Sequence, residues 1–490
     1  MPLYRVETPN SPDLDQELAQ LRGLTSDTER IVAALRFVQE DIRYLGIESG
    51  IGSHQPTPPS EVLRRRFGDC KDKTLLLGTL LQQCGLNATP ALVSSSRRQY
   101  VADRIPSPGL FDHVILRVEN GHDVWWLDAT RSTQRGPLSQ LYVSNFGYAL
   151  VLRAGTRDLT PCGPPPASLP KRKVVENYRV AKPGADARLD VVTECRGLSA
   201  DLARSFFQTN SKENVQKNYL QFYARRYARI HASEPISYEE LPGENACRVQ
   251  EHYVIPDLWQ LADDKLSYHF TVRPSDVEGE MGTPGTTERI DPLAISYPVD
   301  TTQEIHAEMF EDWAFSAAQR EITNAFFHFQ HESKGEGRNI RMLYSYRSLT
   351  DQVPVADLPA YDAALRKIQE HVGYVFTYHT PQQASAPGKT DPATLAQEAQ
   401  FNWPIALLVA TILAAAVALA VRYSFVSRLP SPRPPSLHHP ELEGLGGWLI
   451  LVMLGLLARP IAFLATDVRL YPSIFHLGAW HRLTFIGEAA

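Results

Sequence analysis

Apolar positions recur at helical spacing in two stretches near the start of the chain. Ile31, Leu35, Val38 and Ile42 follow one another at steps of four, three and four, behind Ser26-Asp27-Thr28-Glu29, whose spacing is that of a capping box. This predicts an amphipathic helix of about five turns with its apolar stripe in a core. Leu75, Leu76, Leu77, Leu80, Leu81 and Cys84 predict a second, buried helix that opens at Cys70, directly after Gly68-Asp69, and stops at Gly85. Residues 1–24 read as an extended, Pro-containing lead-in, 44–59 as a Gly-, Ser- and Pro-rich loop, 61–67 as a short helix, and 91–94 as a strand.

Residues 113–118 and 124–127 are β-branched or apolar runs either side of Asn120-Gly121, the strongest short hairpin signal. If Asn120 and Gly121 are the two central residues, partners sum to 241: Val118 faces Asp123, Leu116 faces Trp125 and His113 faces Asp128. Opposed residues hold their Cβ atoms about 5 Å apart, so a carboxylate comes within reach of an imidazole. From about residue 169 the texture turns to strands, at 174–180, 187–194, 252–255, 266–272, 293–297, 305–309 and 341–346. A helical pattern covers 199–230 and a closing helix 357–371. The fold class expected is α+β, with a sandwich-like second domain that shows no motif bearing chemistry.

Beyond 381 the pattern changes again. A linker rich in Gln, Ala, Ser and Pro leads to an uncharged apolar run at 405–421, bounded by Trp403 and by Arg422-Tyr423, which predicts a transmembrane helix over 402–423. Residues 424–443 are Pro-rich, and a second apolar stretch at 445–465 contains Arg459-Pro460. Arg422, Arg428 and Arg433 follow the first span, whereas Asp391 and Glu398 precede it, so the positive-inside rule places the preceding domains outside, in a periplasm-like space. The opening Met1-Pro2-Leu3-Tyr4-Arg5 lacks the apolar core of an export signal.

A chain of 490 residues holds more than one domain, and its net charge of −6 gives no footprint for nucleic acid. The 5 cysteines (70, 84, 162, 195 and 247) are an odd number without a C-x-x-C, which argues against a disulfide framework and a structural zinc site. Cys70 and Cys84, at opposite ends of one helix, lie roughly 21 Å apart. A lone cysteine in a helix is more often inert core. Cys70 differs in opening its helix, where unsatisfied N–H groups and the positive dipole end favour a thiolate. With His113 as base and Asp128 as its orienter, it completes a papain-like constellation. The Cys70 N–H is the first oxyanion donor expected, with Gln55 or Tyr44 as the second. A zinc site from Cys70, His113 and Asp128 lacks a fourth ligand, so neither metal nor cofactor is expected.

Gly68-Asp69-Cys70-Lys71-Asp72-Lys73, Phe111-Asp112-His113-Val114 and Trp126-Leu127-Asp128-Ala129-Thr130 together resemble the transglutaminase-like core, within about residues 25–155. The nearest resemblance is to bacterial transglutaminase-like proteins that carry a DUF3857 domain, supported by Arg43-Tyr44-Leu45-Gly46-Ile47-Glu48 and Gln55-Pro56. The resemblance implies a papain-like core with Cys70 as nucleophile, His113 as base and Asp128 as orienter. Asp112 stands where that subgroup usually has Asn, and a carboxylate there is expected to raise the pKa of His113. The subgroup's upstream β-domain and export signal are missing, and residues 442–449 resemble the start of a DUF2569 membrane module, which implies a shortened form.

The division expected is a lead-in at 1–24, a thiol domain at 25–160, a β-rich α+β domain at 169–350, a closing helix and strand at 354–380, a linker at 381–401, a transmembrane helix at 402–423, a Pro-rich linker at 424–443 and a hydrophobic segment at 444–490. The function expected is a membrane-anchored bacterial thiol enzyme forming an acyl-enzyme on a peptide or protein amide, by acyl transfer or hydrolysis. Its partners are a peptide or protein substrate and the membrane, and not nucleic acid. The alternative is a transglutaminase-like binding or scaffold protein of the cell envelope.

Overall fold

The computed structural model describes residues 4, 11–46, 54–263, 265–285 and 289–379, and residues 1–380 form one unit. The apolar segments expected at 402–423 and 444–490, and the linkers at 381–401 and 424–443, lie outside the described residues. What is described is a mixed α+β structure with two principal cores.

The first core gathers helices on one face of a short sheet. Helix α1 (Pro12–Arg22) corrects the expected extended lead-in: Leu14, Leu18 and Leu21, at steps of four and three, are buried against the other helices. Pro12 sits in the first turn, where its missing N–H costs nothing, so its presence does not argue against a helix. Helix α2 (Asp27–Asp41) begins with the expected capping box: the Ser26 side chain accepts from the Glu29 N–H and Glu29 reaches back. Helix α3 (Pro59–Arg65) leads through the left-handed Arg66 into strand β2 (Phe67–Gly68), which pairs in parallel with β1 (Arg43–Tyr44). Helix α4 (Cys70–Gln83) follows and is buried along nearly its whole length.

Five strands complete this lobe: β3 (Asn87–Val93), β4 (His113–Asn120), β5 (Asp123–Leu127), β6 (Gly147–Val151) and β7 (Thr160–Cys162), in the order β5-β4-β3-β6-β7. Leu116, Val118 and Leu127 face the helices, whereas Ala91, Val93, Ile115 and Val151 form a second apolar cluster with Phe146 and Cys162. The hairpin register differs from the expected one. Asn120 pairs with Asp123 and Leu116 with Leu127, so partners sum to 243 and the central residues are Gly121 and His122. Gly121 takes φ 63°, as the first central residue of a type II′ turn does. Only Gly supplies the positive φ, and Asn120 stays in the strand.

The second core lies on one face of a nine-stranded sheet. Strands β8 (Lys171–Arg179), β9 (Ala187–Arg196), β10 (His231–Ala232), β11 (Ser237–Glu240) and β12 (Ala246–Ile255) make up one half. After β13 (Gln260–Leu261), β14 (Ser267–Val272) and β15 (Leu293–Ala294), the other half comprises β16 (Asp300–Glu308), β17 (Ala318–Thr323), β18 (Phe327–Glu336) and β19 (Asn339–Ser348). The order is β10-β12-β9-β8-β16-β19-β18-β17, with β11 also on β12. Burial alternates residue by residue along β8, β9 and β12, so one face is core and the other polar. The helical stretch at 199–230 resolves into α5 (Leu198–Thr209) and α6 (Lys212–Ala224), restarted by Ser211, whose hydroxyl caps the Asn214 N–H. A short α7 (Ser275–Glu280), β20 (Gln352–Val353), α8 (Leu358–Gln369) and β21 (Tyr374–His379), which pairs with β14, close the lobe.

Candidate active site

The Gly-Asp-Cys turn is built around Asp72. Asp69 caps α4, accepting from the Lys71 and Asp72 N–H groups, and Asp72 accepts from the Asp69 N–H in return. The Asp72 carboxylate also takes the Thr57 N–H at 2.7 Å and the Arg65 guanidinium at 2.6 Å, which ties the preceding loop and α3 to the helix start. A Cβ on Gly68 would lie 2.7 Å from the Cβ of Asp72, so only glycine fits there. This lattice holds Cys70 at the first position of a helix, with the residue 6 % exposed. The cap engages the N–H groups of Lys71 and Asp72, and Lys73 bonds back to the Asp69 carbonyl. The N–H of Cys70 stays out of the cap.

His113 opens β4, and its Nε2 lies 3.1 Å from Asp128 Oδ2. In the observed register Asp128 would oppose Ile115, which makes it a diagonal neighbour of His113 on the same sheet face. A shift of two residues preserves the face, and diagonal neighbours stay within reach of long side chains. Cys70 lies close enough to the ring to act on its charge. Burial pulls the imidazole's pKa down, but the hydrogen bond to Asp128 and the nearby charges of Asp128 and Cys70 outweigh it and raise the pKa to about 10. Phe146 shields the ring, with centroids 5.9 Å apart.

Asp128 is nearly buried. Its Oδ1 accepts from the Thr130 N–H at 2.9 Å and the Thr130 hydroxyl at 2.6 Å. Burial pushes its carboxyl up, yet the His113 bond and charge and the Thr130 bonds hold it below the usual carboxylate range. The Asp128 backbone carbonyl accepts from Gln39 Nε2 at 2.9 Å, and the same amide donates to Gln134 Oε1 at 2.8 Å. The Asp112 carboxylate turns to the Ser95 and Ser96 N–H groups and the Ser96 hydroxyl, and the groups that raise the imidazole are Asp128 and Cys70.

The structure therefore brings Cys70, His113 and Asp128 together. The two residues expected as second oxyanion donors, Tyr44 and Gln55, are both exposed; Tyr44 retains 48 % exposure. Four neighbours escaped the sequence reading. Lys73 is buried and donates to the carbonyls of Ile42 and Gln39; burial pulls its ammonium down to about 8, against the raising influence of Asp128. Gln39 was hidden because its place on α2 looks like one more polar position. Cys162 is pushed up by burial and by Asp128, which keeps it a thiol. The Tyr4 phenol is pushed up by burial and then by the charges of Cys70, Asp69 and Asp72, which places it beside the site.

No protein-family model matches the chain, and no curated protein does. Among solved structures, it is similar to the crystal structure of a "putative protease" from Parabacteroides distasonis, with 10% sequence identity and a TM-score of 0.42. The match covers 75% of this chain and 56% of that one, so the chain spans little more than half the length of that protein.

Proposed function

We propose that this protein is a thiol enzyme of the transglutaminase-like, papain-like type, acting on a peptide or protein amide. The observation that carries the reading is one imidazole held between a buried carboxylate and a cysteine at a helix N-terminus. Held protonated, His113 supplies the cation that favours a nucleophilic sulfur. The Cys70 sulfur attacks the amide carbonyl carbon, and the carbonyl oxygen becomes an oxyanion beside the Cys70 N–H. The C–N bond breaks as His113 gives its proton to the departing amine, leaving a thioester on Cys70. An incoming amine or water then loses a proton to His113, adds to the thioester and releases the thiolate. Asp128, locked by Thr130 and Gln39, orients the ring throughout. Gln55 or Tyr44 is the second oxyanion donor of this reading. Attachment to a bacterial inner membrane through residues 402–423 and 444–490, with the thiol domain outside, belongs to the same proposal.

The test compares the wild type with Cys70→Ala and His113→Ala in an amine-incorporation and a peptide-hydrolysis assay. Loss of the nucleophile is expected to cut turnover by about 10⁴-fold or more. Equal background from all three forms contradicts the enzyme and supports a binding or scaffold protein.

A further inference from the structure

The nine-stranded sheet brings together two cysteines that the active site does not use. Cys195 on β9 and Cys247 on β12 are direct partners in an antiparallel ladder, and both are buried on the helix-covered face beside Ala200. The type of pair follows from the ladder's end, where the Gly197 N–H donates to the Asn245 carbonyl directly across. Pair types alternate along an antiparallel ladder, so the pair two residues on is again of the hydrogen-bonded kind, with Cα atoms about 5.5 Å apart. Disulfides are most frequent at about that separation. The thiols are free in this structure and lie side by side in one small apolar cluster. The neighbouring Cys247 thiol holds the Cys195 thiol below its ordinary range, against burial, and the guanidinium of Arg172, the β8 partner of Cys195, adds to the effect.

We infer that Cys195 and Cys247 form a cross-strand disulfide when the chain meets a disulfide oxidant, such as oxidised glutathione or a dithiol oxidase. Cys195 as thiolate attacks one sulfur of the oxidant, breaking its S–S bond and releasing one thiolate. Cys247 loses its proton and attacks the Cys195 sulfur of the mixed disulfide, releasing the second. Two protein thiols are oxidised and one disulfide is reduced to two thiols. The loop so closed contains α5 and α6, and with them Asp201 and Arg204, which reach Gln134 and Thr133 of the thiol lobe. The bond therefore staples the platform against which the active-site lobe rests. This inference does not depend on the catalytic reading.

The full chain carrying Cys70→Ala, which keeps the active-site sulfur out of exchange, is held in oxidised glutathione with enough urea to admit the reagent. It is then denatured, alkylated without reductant and mapped by peptide mass spectrometry. The expected result is one linked pair of peptides containing Cys195 and Cys247, with Cys84 and Cys162 alkylated. The midpoint of thermal unfolding should also rise by several degrees, reversibly with dithiothreitol. Alkylation of both Cys195 and Cys247, stable glutathione adducts on either, or a link to another cysteine overturns the inference.

Discussion

His113 carries the site because its ring is bonded to a buried carboxylate and feels the charge of the Cys70 sulfur. Its pKa, raised to about 10 from an ordinary 6.5, has a consequence for stability. The folded protein binds this proton more tightly than the unfolded chain, so the stabilisation is complete below about pH 6.5 and is lost as pH rises through about 10. Two measurements follow. In ¹⁵N-labelled protein the His113 ring should remain an imidazolium until about pH 10, and Asp128→Asn should lower that midpoint. Unfolding free energy between pH 6.5 and 10 should fall more steeply in the wild type than in His113→Gln. An ordinary midpoint with parallel stability curves contradicts the geometry. The identities of Cys70, His113 and Asp128 were legible in the sequence, because each sits where local rules place it, at a helix start, a strand start and a strand end. Gln39 and Lys73 were not, since their partners are backbone carbonyls and an amide up to 95 residues away that no local pattern announces.

At the scale of elements, the hairpin shows how a wrong register still delivered the right pair. The type II′ turn moved the pairing by two residues, an even number, so His113 and Asp128 kept a common face; a slip of one would have separated them. Helix α1 was misread because a proline and a short apolar period at the chain start resemble an irregular lead-in. Strand β18 was missed because His331 and Ser333 occupy inward positions where apolar residues are expected. The start of α4 gives a sharper test. In Gly68→Ala the new methyl group meets the Asp72 side chain, so the Asp72 bonds to Thr57 and Arg65 must shift. A loss of about 1–3 kcal/mol by urea denaturation is expected, accompanied by loss of the reactivity of Cys70. A variant as stable and reactive as the wild type would show that this turn does not set the sulfur.

Across the whole described unit, two apolar cores meet over a polar seam. Gln39 bonds Gln134, Gln134 bonds Asp201, and Asp201 is held by Asn245 and Arg204. Arg204 in turn donates to the Thr133 carbonyl and to Glu240. Gly136 belongs to the same seam: at φ 84° a Cβ would lie 2.5 Å from the Asn245 nitrogen. The sequence contained none of this, because residues so far apart in the chain meet only once both lobes have formed. Arg204 and Asp201 are almost fully buried, so Arg204→Met strands a carboxylate and should cost about 3–5 kcal/mol in urea denaturation. Adding Asp201→Asn should recover part of that, and failure to do so would remove the pair as the seam's centre.

The central claim, that Cys70 is a nucleophile primed by His113, is tested most directly by the rate of iodoacetamide labelling at pH 6, followed cysteine by cysteine. Cys70 is expected to be labelled at least about 10²-fold faster than Cys84, with His113→Ala abolishing the difference. Labelling of Cys70 no faster than Cys84, and unchanged by the loss of His113, would contradict it.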